Sequence, residues 1–371
     1  MAKRTFLDHV NDGRLGLNEG LPNCFDKFNT ILNNTQRATY YAIGGLPGAG
    51  KTTFTDANFV LSPYFYLLLN HLPINVDWHY YSFEVSLIAK RAKWTAYLLN
   101  QMFGLNVDSS YILSKGKNRI SDEVYEKVVS VDQEMDKLFD KIHFVQDLEN
   151  PTGINKDIFK YAQANGTLHK EKYAGADGIE AERIESYEAK DPSKYVPIII
   201  DHVALAKRER GYDTKQNIDK LSEYMIGWRN LFNYTPIPIC QFNKGITNIE
   251  RRKFDKNELS PTLEDFKDTG NIGQDCNVAL GVFNPIKYNI EEYLGYDITQ
   301  MPNSFRSIHI MKNRDGQEYY SQAMYFRGDV GRLTELPSAN MFQAGLVEYK
   351  DYQIPKPTVT VPPANGVISL P

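Results

Sequence analysis

Short apolar runs alternate with longer amphipathic stretches between residue 16 and about residue 336. The run over 195–202 is continuously apolar until its closing acid, as in a strand buried on both faces. The stretches 85–104 and 217–232 have the apolar spacing of helices. This alternation predicts an α/β fold with a mostly parallel twisted sheet flanked by helices. The predicted strands cover residues 38–45, 77–84, 195–202, 235–243, 277–285 and 304–313.

Three segments depart from this pattern. Residues 1–15 are polar and are predicted to form a short N-terminal arm before a single domain over 16–336. Residues 152–194 are rich in charge and are predicted to be an insertion on the domain surface, just before the strand at 195–202. The last 35 residues, 337–371, contain six prolines. Proline at this density predicts an extended tail without a sustained helix or central strand.

Composition excludes some classes of protein. A formal net charge of −4 argues against a generally basic nucleic-acid coat but does not exclude a local basic channel. Cys24, Cys240 and Cys276 are too far apart for a disulfide framework or a CxxC metal site. The seven histidines show no HxxxH or HExxH spacing, so a structural zinc site is not expected. No signal-peptide core or membrane-spanning run is present, and we expect a cytoplasmic protein that does not bind membranes.

Residues 45–52 read G-L-P-G-A-G-K-T and match the phosphate-loop pattern GxxxxGK[ST]. A predicted strand precedes the motif and a predicted helix follows it, which is the context that the motif requires. Glycines let backbone N–H groups converge on phosphate oxygens, while Lys51 reaches the β and γ phosphates of ATP. The Thr52 hydroxyl is placed to ligate Mg²⁺. The predicted nucleotide-binding residues are Gly45, Pro47, Gly48, Ala49, Gly50, Lys51, Thr52 and Thr53.

Hydrolysis of ATP needs two further acids. Asp201 closes the buried strand P-I-I-I-D and is the candidate Walker B acid, which with Thr52 would hold the metal ion. Glu84 closes Y-Y-S-F-E and could act as the catalytic base. An acid at the end of a strand can also be an ordinary helix cap or turn residue. Position alone therefore leaves both interpretations of Glu84 open.

These motifs, in this order, resemble the RecA-like ATPase domain of DnaB-type replicative helicases. After the phosphate loop, members carry S-L-E-M-S, a run ending I-D-Y, L-S-Q-L-N-R, D-L-R-E-S-G-x-I-x-Q-D-A-D and K-x-R-x-G. This chain has S-F-E-V-S at 82–86, I-D-H at 200–202 and C-Q-F-N-K at 240–244. It continues with D-F-K-D-T-G-N-I-G-Q-D-C-N at 265–277 and K-N-R-D-G at 312–316. The resemblance covers roughly residues 16 to 336.

The resemblance implies a role for each matched residue. Glu84 becomes the carboxylate that polarises the attacking water, and Gln241 the sensor that links the γ-phosphate to the DNA-binding loops. Lys312 and Arg314 resemble the pair that reaches the γ-phosphate of a neighbouring subunit. Positive charge supplied in this way stabilises the transition state only in an assembled ring. A surface hairpin with ordinary charges is the alternative for this pair.

The family places its DNA-binding loops after the Walker B strand and after the sensor strand. The corresponding segments here, 206–217 and 244–258, are basic and contain glycine, which suits contacts to the DNA backbone. Solvated loops are the alternative. The candidate DNA contacts are Lys207, Arg208, Arg210, Lys244, Arg251, Arg252 and Lys253.

The expected function is therefore that of an ATP- and Mg²⁺-dependent DNA helicase. The resemblance implies a hexameric ring that moves 5′ to 3′ on single-stranded DNA and unwinds the replication fork. Only about 15 residues precede the match, so we expect a bacteriophage-like protein without the family's N-terminal collar, acting in the host cytoplasm. Primase and a helicase loader are candidate partners. Two departures from the family pattern are Asn277 for the final aspartate of D-A-D and Lys244 for an arginine.

Two other functions remain open at this point. A RecA-like recombinase or filament ATPase would share the same core but pair DNA strands instead of separating them. A nucleotide-dependent DNA clamp would bind ATP without hydrolysing it, and the presence of Glu84 argues against that possibility.

Overall fold

The computed structural model of the chain describes residues 6–22, 25–174, 180–247, 259–269 and 271–350. The strands are β1 (Tyr41–Gly45), β2 (Trp78–Ser82), β3 (Ile142–Val145), β4 (Gly166–Ala174), β5 (Glu180–Ala189), β6 (Pro197–Asp201), β7 (Thr235–Gln241), β8 (Val278–Phe283), β9 (Glu292–Tyr293), β10 (Tyr296–Asp297), β11 (Phe305–Asn313), β12 (Tyr320–Arg327) and β13 (Arg332–Glu335). The α-helices are α1 (Phe6–Arg14), α2 (Asp26–Leu32), α3 (Lys51–Asp56), α4 (Ser62–Leu69), α5 (Leu87–Phe103), α6 (Ser109–Ile112), α7 (Asp122–Phe139), α8 (Pro151–Asn165), α9 (Thr214–Phe232), α10 (Ile272–Asp275) and α11 (Ala339–Gln343). A π-helical segment, Ala57–Leu61, joins α3 to α4.

Nine strands form one sheet in the order β13-β12-β11-β8-β1-β7-β6-β2-β3. The six strands from β8 to β3 are parallel, and β11, β12 and β13 extend the sheet with antiparallel pairing. The predicted α/β class with a mostly parallel sheet is thereby confirmed. In the parallel part, Gly45 pairs with Gln241 and Ser82 pairs with Asp201. The carboxyl ends of β1, β7, β6 and β2 therefore lie along one edge, where open α/β sheets bind their ligands.

Helices cover both faces of this sheet because its central strands are apolar on both sides. Every residue of β1 and β6 is buried. On one face, Tyr41 and Ile43 pack in a core with α3, α4, α5 and α7. On the other face, Ile198 and Ile200 pack in a core with α8 and α9. The layered α/β/α arrangement follows from this two-sided burial.

The structure adds detail to three expectations about the flanking and inserted segments. The N-terminal arm contains a helix, α1. The segment 152–194 is not all on the surface, because α8 buries Ile154, Ile158 and Ala162 in the core. The charge of this segment is instead concentrated in the β4–β5 hairpin. The short helix α11 lies within residues 337–371, where the prolines after Pro337 begin only at residue 355.

The part of the chain that the structure describes contains no helix long and apolar enough to cross a membrane.

Candidate nucleotide site

The phosphate loop joins the end of β1 to the start of α3. Its backbone has positive φ at Gly48 (70°) and Gly50 (101°), a conformation that residues with a side chain rarely adopt. A Cβ atom on Gly45 would lie 2.6 Å from the carbonyl oxygen of Val282 on β8. The local backbone therefore requires glycine at these three positions. Without side chains there, the loop leaves room for a phosphate group against its backbone.

Lys51, the first residue of α3, lies across this loop. Its Nζ donates to the carbonyl oxygen of Leu46 at 3.2 Å. Burial lowers the pKa of the Lys51 ammonium, while the negative charge of Asp201 acts in the opposite direction. Phosphate oxygens could replace or join this main-chain acceptor, because an ammonium group can donate up to three hydrogen bonds.

Thr52 and Asp201 meet between α3 and the end of β6. The Thr52 hydroxyl donates to Oδ2 of Asp201 at 3.0 Å. Asp201 is 1% exposed, and burial raises the pKa of its carboxyl group while the Lys90 ammonium opposes that rise. A hydroxyl and a carboxylate are oxygen donors of the kind that Mg²⁺ prefers. This pair therefore fits a Mg²⁺ ion bound next to the phosphate loop.

A buried cation, not predicted from the sequence, lies behind this pair. Lys90 on α5 is fully buried, and its Nζ is 3.0 Å from Asp56 Oδ2 and 3.9 Å from Asp201 Oδ2. The same Nζ donates to the Tyr80 hydroxyl at 2.8 Å, and Trp94 Nε1 donates to Asp56 at 2.9 Å. Lys90 lies on a helix that also carries the exposed Lys93 and the partly exposed Arg91, so no pattern in the sequence distinguished it. The cluster holds Asp201 against a fixed positive charge.

Glu84 and Gln241 lie at the same edge of the sheet. Glu84 is exposed two residues after β2, and its charge acts on Lys51, Asp201 and His202. Gln241 is the exposed last residue of β7, directly beside Gly45. Both predicted residues are therefore close to the loop in the fold, although 157 residues separate them in the chain.

Two further cations contact the main chain of the phosphate loop, and neither was predicted. Arg306 on β11 donates from Nε to the carbonyl oxygen of Ala49 at 3.0 Å, with its guanidinium 4.3 Å from the centre of the Phe326 ring. Arg306 is buried, which lowers its pKa to about 10. Lys287 donates to the carbonyl oxygen of Pro47 at 3.1 Å. Arg306 supports the loop from the protein interior, whereas Lys287 is exposed beside it.

Lys312 and Arg314 lie at the other edge of the sheet. Strand β11 runs antiparallel to β8, and Asn313 pairs with Val278, which in turn pairs with Tyr41 at the beginning of β1. The phosphate loop follows the opposite end of β1. The two ends of β1, Tyr41 and Gly45, are four residue steps apart, which is a distance of about 13 Å, and the phosphate loop extends beyond Gly45.

Main-chain carbonyl groups of α10 hold these two cations. Lys312 Nζ donates to the carbonyl oxygens of Gly273 and Gln274 at 3.1 and 2.5 Å. Arg314 donates to the Gln274 carbonyl oxygen at 3.1 Å. Burial lowers the pKa of the Lys312 ammonium. The fold therefore does not bring Lys312 and Arg314 together with Lys51, Thr52 and Asp201 of the same chain.

The first predicted DNA-binding loop leaves the edge that carries Asp201. Lys207, Arg208 and Arg210 are exposed there, between the short 3₁₀-helix Val203–Leu205 and α9. Between them, Glu209 forms an ion pair with Lys220 and accepts hydrogen bonds from Thr152. The backbone of this loop is thereby tethered while its cations face solvent.

The second predicted loop is described only in part. Its first residues form the 3₁₀-helix Lys244–Thr247, which follows β7. Arg251, Arg252 and Lys253 lie outside the described residues, as does the side chain of Lys244.

A phosphate loop at the end of the central strand β1, with an acid closing a strand on the same sheet edge, defines a P-loop ATPase with the RecA-like fold. Comparison with known proteins narrows this class. The model of the DnaB-like helicase C-terminal domain matches residues 121–335, which is more than half of the chain. The chain belongs to this family and is an ATP-hydrolysing DNA helicase of the DnaB-like replicative class.

Solved structures agree with this assignment at the level of the fold. One, described as an ATPase domain, superposes with a TM-score of 0.63 at 15% identity, covering 89% of this chain and 97% of that one. A DnaB-like replicative helicase, described with its interactions with primase, superposes with a TM-score of 0.65 at 15% identity. That match covers 91% of this chain and 69% of the helicase. The comparison with curated proteins found no match.

Proposed function

We propose that the chain acts as a hexameric ring that hydrolyses ATP at the boundaries between its copies while moving along single-stranded DNA. The observation that carries this proposal is the position of Lys312 and Arg314. They lie at the sheet edge opposite the phosphate loop of their own chain. In a head-to-tail ring, that edge can face the phosphate loop of the next copy. The two cations would then complete the neighbour's site.

Each nucleotide site would take its binding residues from one copy. The loop from Gly45 to Gly50 would surround the phosphates, and Lys51 would contact the β and γ phosphates. Thr52 and Asp201 would hold Mg²⁺, which offsets the negative charge of the phosphates when bound. Supporting this role, their side chains are already hydrogen-bonded to each other at 3.0 Å.

The remaining catalytic roles fall to three sets of residues. Glu84 would accept a proton from the attacking water, and its exposure beside Asp201 supports that role. Gln241 would report the state of the γ-phosphate to the loop that follows β7. Lys312 and Arg314 of the neighbouring copy would stabilise the charge that develops on the transferred phosphate.

DNA would bind the two basic segments. Lys207, Arg208 and Arg210 are exposed on a tethered loop, which supports contacts to the DNA backbone without base readout. For Lys244, Arg251, Arg252 and Lys253 the proposal is based on sequence alone. Movement from 5′ to 3′, binding of a primase or loader, and action in the cytoplasm of a bacteriophage host are proposed from the family resemblance.

Mixing two inactive variants tests the shared site. Lys51→Ala removes the phosphate contact and Arg314→Ala removes the cation from the neighbour, so each alone should lose ATP turnover. In an equal random mixture, about a quarter of the boundaries would join an intact loop to an intact arginine, and turnover should return at those boundaries. Mixed assembly must be verified independently, for example by pull-down of a tagged variant. Mixed rings that stay inactive would contradict the proposal.

A fork substrate separates the helicase from the two other functions. We expect ATP turnover to rise with single-stranded DNA, and a fork with a 5′ tail to be unwound faster than one with a 3′ tail. Unwinding of the 3′-tailed fork alone would overturn the polarity. Strand exchange without displacement would favour a recombinase.

A Glu84→Gln variant that still turns over ATP at the wild-type rate would contradict the assignment of the catalytic base.

A further inference from the structure

Three side chains of types that can bind metal ions meet where β2, β3 and α8 pack together, away from the nucleotide site. His79 and His143 are paired in register on the adjacent parallel strands β2 and β3, with ring centroids 5.1 Å apart. Asp157 on α8 approaches them, and its Oδ2 is 3.0 Å from Nε2 of His143. One donor atom from each of the three residues lies within 4.8 Å of the other two.

His79 is the residue that the rest of the fold leaves unexplained. It is 2% exposed, yet neither ring nitrogen has a hydrogen-bond partner among the described residues. Buried polar groups in proteins are nearly always paired, so an orphaned imidazole requires an explanation. Burial lowers the pKa of His79 to about 4, which keeps the ring neutral. A neutral imidazole offers a lone pair, as a metal ligand must.

The other two residues have the properties of a ligand and its support. His143 Nε2 and Asp157 Oδ2 share a hydrogen bond, so a metal ion bound by both atoms would take the place of the proton between them. The Tyr81 hydroxyl also donates to Asp157 at 2.6 Å, and such contacts orient ligating carboxylates. The His143 side chain is 52% exposed, which provides a route for an ion from solvent.

We propose that His79, His143 and Asp157 bind a zinc-type divalent cation that joins β2, β3 and α8. Two imidazole nitrogens and one carboxylate oxygen match the ligand set of zinc, with a water molecule as the fourth ligand. Mg²⁺ prefers oxygen ligands alone, so this site would not compete with Thr52 and Asp201 for that ion.

The existing geometry needs only small adjustment for this role. Zinc ligands lie about 2.0–2.2 Å from the metal, so tetrahedral ligand atoms are roughly 3.5 Å apart. The His143–Asp157 separation of 3.0 Å is already below that value, and the other donor atoms lie within 4.8 Å. Rotation of the His143 and Asp157 side chains can close the gap, because both are partly exposed.

Cobalt and zinc binding test the proposal on the full-length chain, stripped with EDTA and kept free of nucleotide. We expect one Co²⁺ per chain with the strong visible absorption of a tetrahedral site, and displacement of that signal by Zn²⁺. Zinc at about 100 times its Kd should also raise the Tm by several degrees, because it binds the folded state only. Cobalt bound by oxygen ligands at Thr52 and Asp201 would instead give the weak spectrum of an octahedral ion.

His143→Ala and Asp157→Asn should each remove both signals, while their circular dichroism and ATP binding remain those of the wild type. The matched control is His169→Ala on the β4–β5 hairpin, where His169 and Glu188 are 3.3 Å apart without a third ligand within reach among the described residues. It should keep the metal signals. His79→Gln provides a further variant for the buried ligand. Wild-type metal affinity in folded His143→Ala, or an equal loss in His169→Ala, would overturn the proposal, as would a purely octahedral spectrum in the wild type.

Discussion

Replacing Lys90 by methionine tests whether the buried cation behind the nucleotide site stabilises the fold. Lys90→Met preserves the length of the side chain but removes the charge that lies 3.0 Å from Asp56 and 3.9 Å from Asp201. Removing one partner of a buried ion pair typically destabilises a protein by about 3–5 kcal/mol. Tyr80 and Trp94 still donate to Asp56, so we expect a loss of about 3 kcal/mol, at the lower end of that range.

The assay is urea-induced unfolding of Lys90→Met beside Lys93→Met, a variant of an exposed lysine on the same helix. The double variant Asp56→Asn/Lys90→Met removes both charges and should recover most of the lost stability. Equal stability of the two single variants would refute the reasoning. A double variant no more stable than Lys90→Met would show that the loss does not come from an unpaired Asp56 carboxylate.

The same substitution has a functional consequence. Lys90 lowers the pKa of Asp201, so without it the pKa of this carboxyl group, already raised by burial, should rise further. A higher fraction of protonated Asp201 binds Mg²⁺ less well. We therefore expect the pH dependence of Mg²⁺-supported ATP binding to move to higher pH in Lys90→Met and to stay unchanged in Lys93→Met.

Three further predictions follow from single positions. Gly48→Ala should weaken ATP binding, because alanine rarely adopts the positive φ of 70° that the phosphate loop requires there, whereas the exposed Lys287 side chain can move away from the new Cβ. Gly116→Ala, with φ of 80° in open space, should leave ATP binding intact in a fluorescent-ATP titration. Glu84→Gln should retain ATP affinity but lose turnover in a steady-state phosphate-release assay, and weakened binding instead would indicate a structural role. Burial lowers the pKa of His309 to about 3, whereas in the unfolded chain it is about 6.5, so protonation favours the unfolded chain. The free energy of unfolding should therefore decrease as the pH falls below about 6.5. Between pH 7 and 5.5 that loss is about 1 kcal/mol, and it should be absent from the unfolding curves of His309→Gln.

The strands and helices that carry the site could be predicted from the sequence because their signals are local. Continuous apolar runs closed by a glycine or an acid predicted β1 and β6, and the structure places both in the interior of the sheet. The segment 152–194 was harder to interpret, because its charge conceals the buried face of α8. The RecA-like fold and the family were correctly inferred from motif order. The roles of Glu84, Gln241, Lys312 and Arg314 stay predictions.

The sequence by itself determined the phosphate loop, since glycines, lysine and threonine at adjacent positions meet a requirement of the local backbone. Only the tertiary structure decided which distant residues share a site. Lys90 meets Asp56 across 34 residues, and His79 meets His143 and Asp157 across 64 and 78, with none of the short spacings that predict metal ligands. It also decided that Lys312 and Arg314 lie far from their own phosphate loop. The physical reason is that strand order and helix packing set these distances, and neither can be read from spacing along the chain.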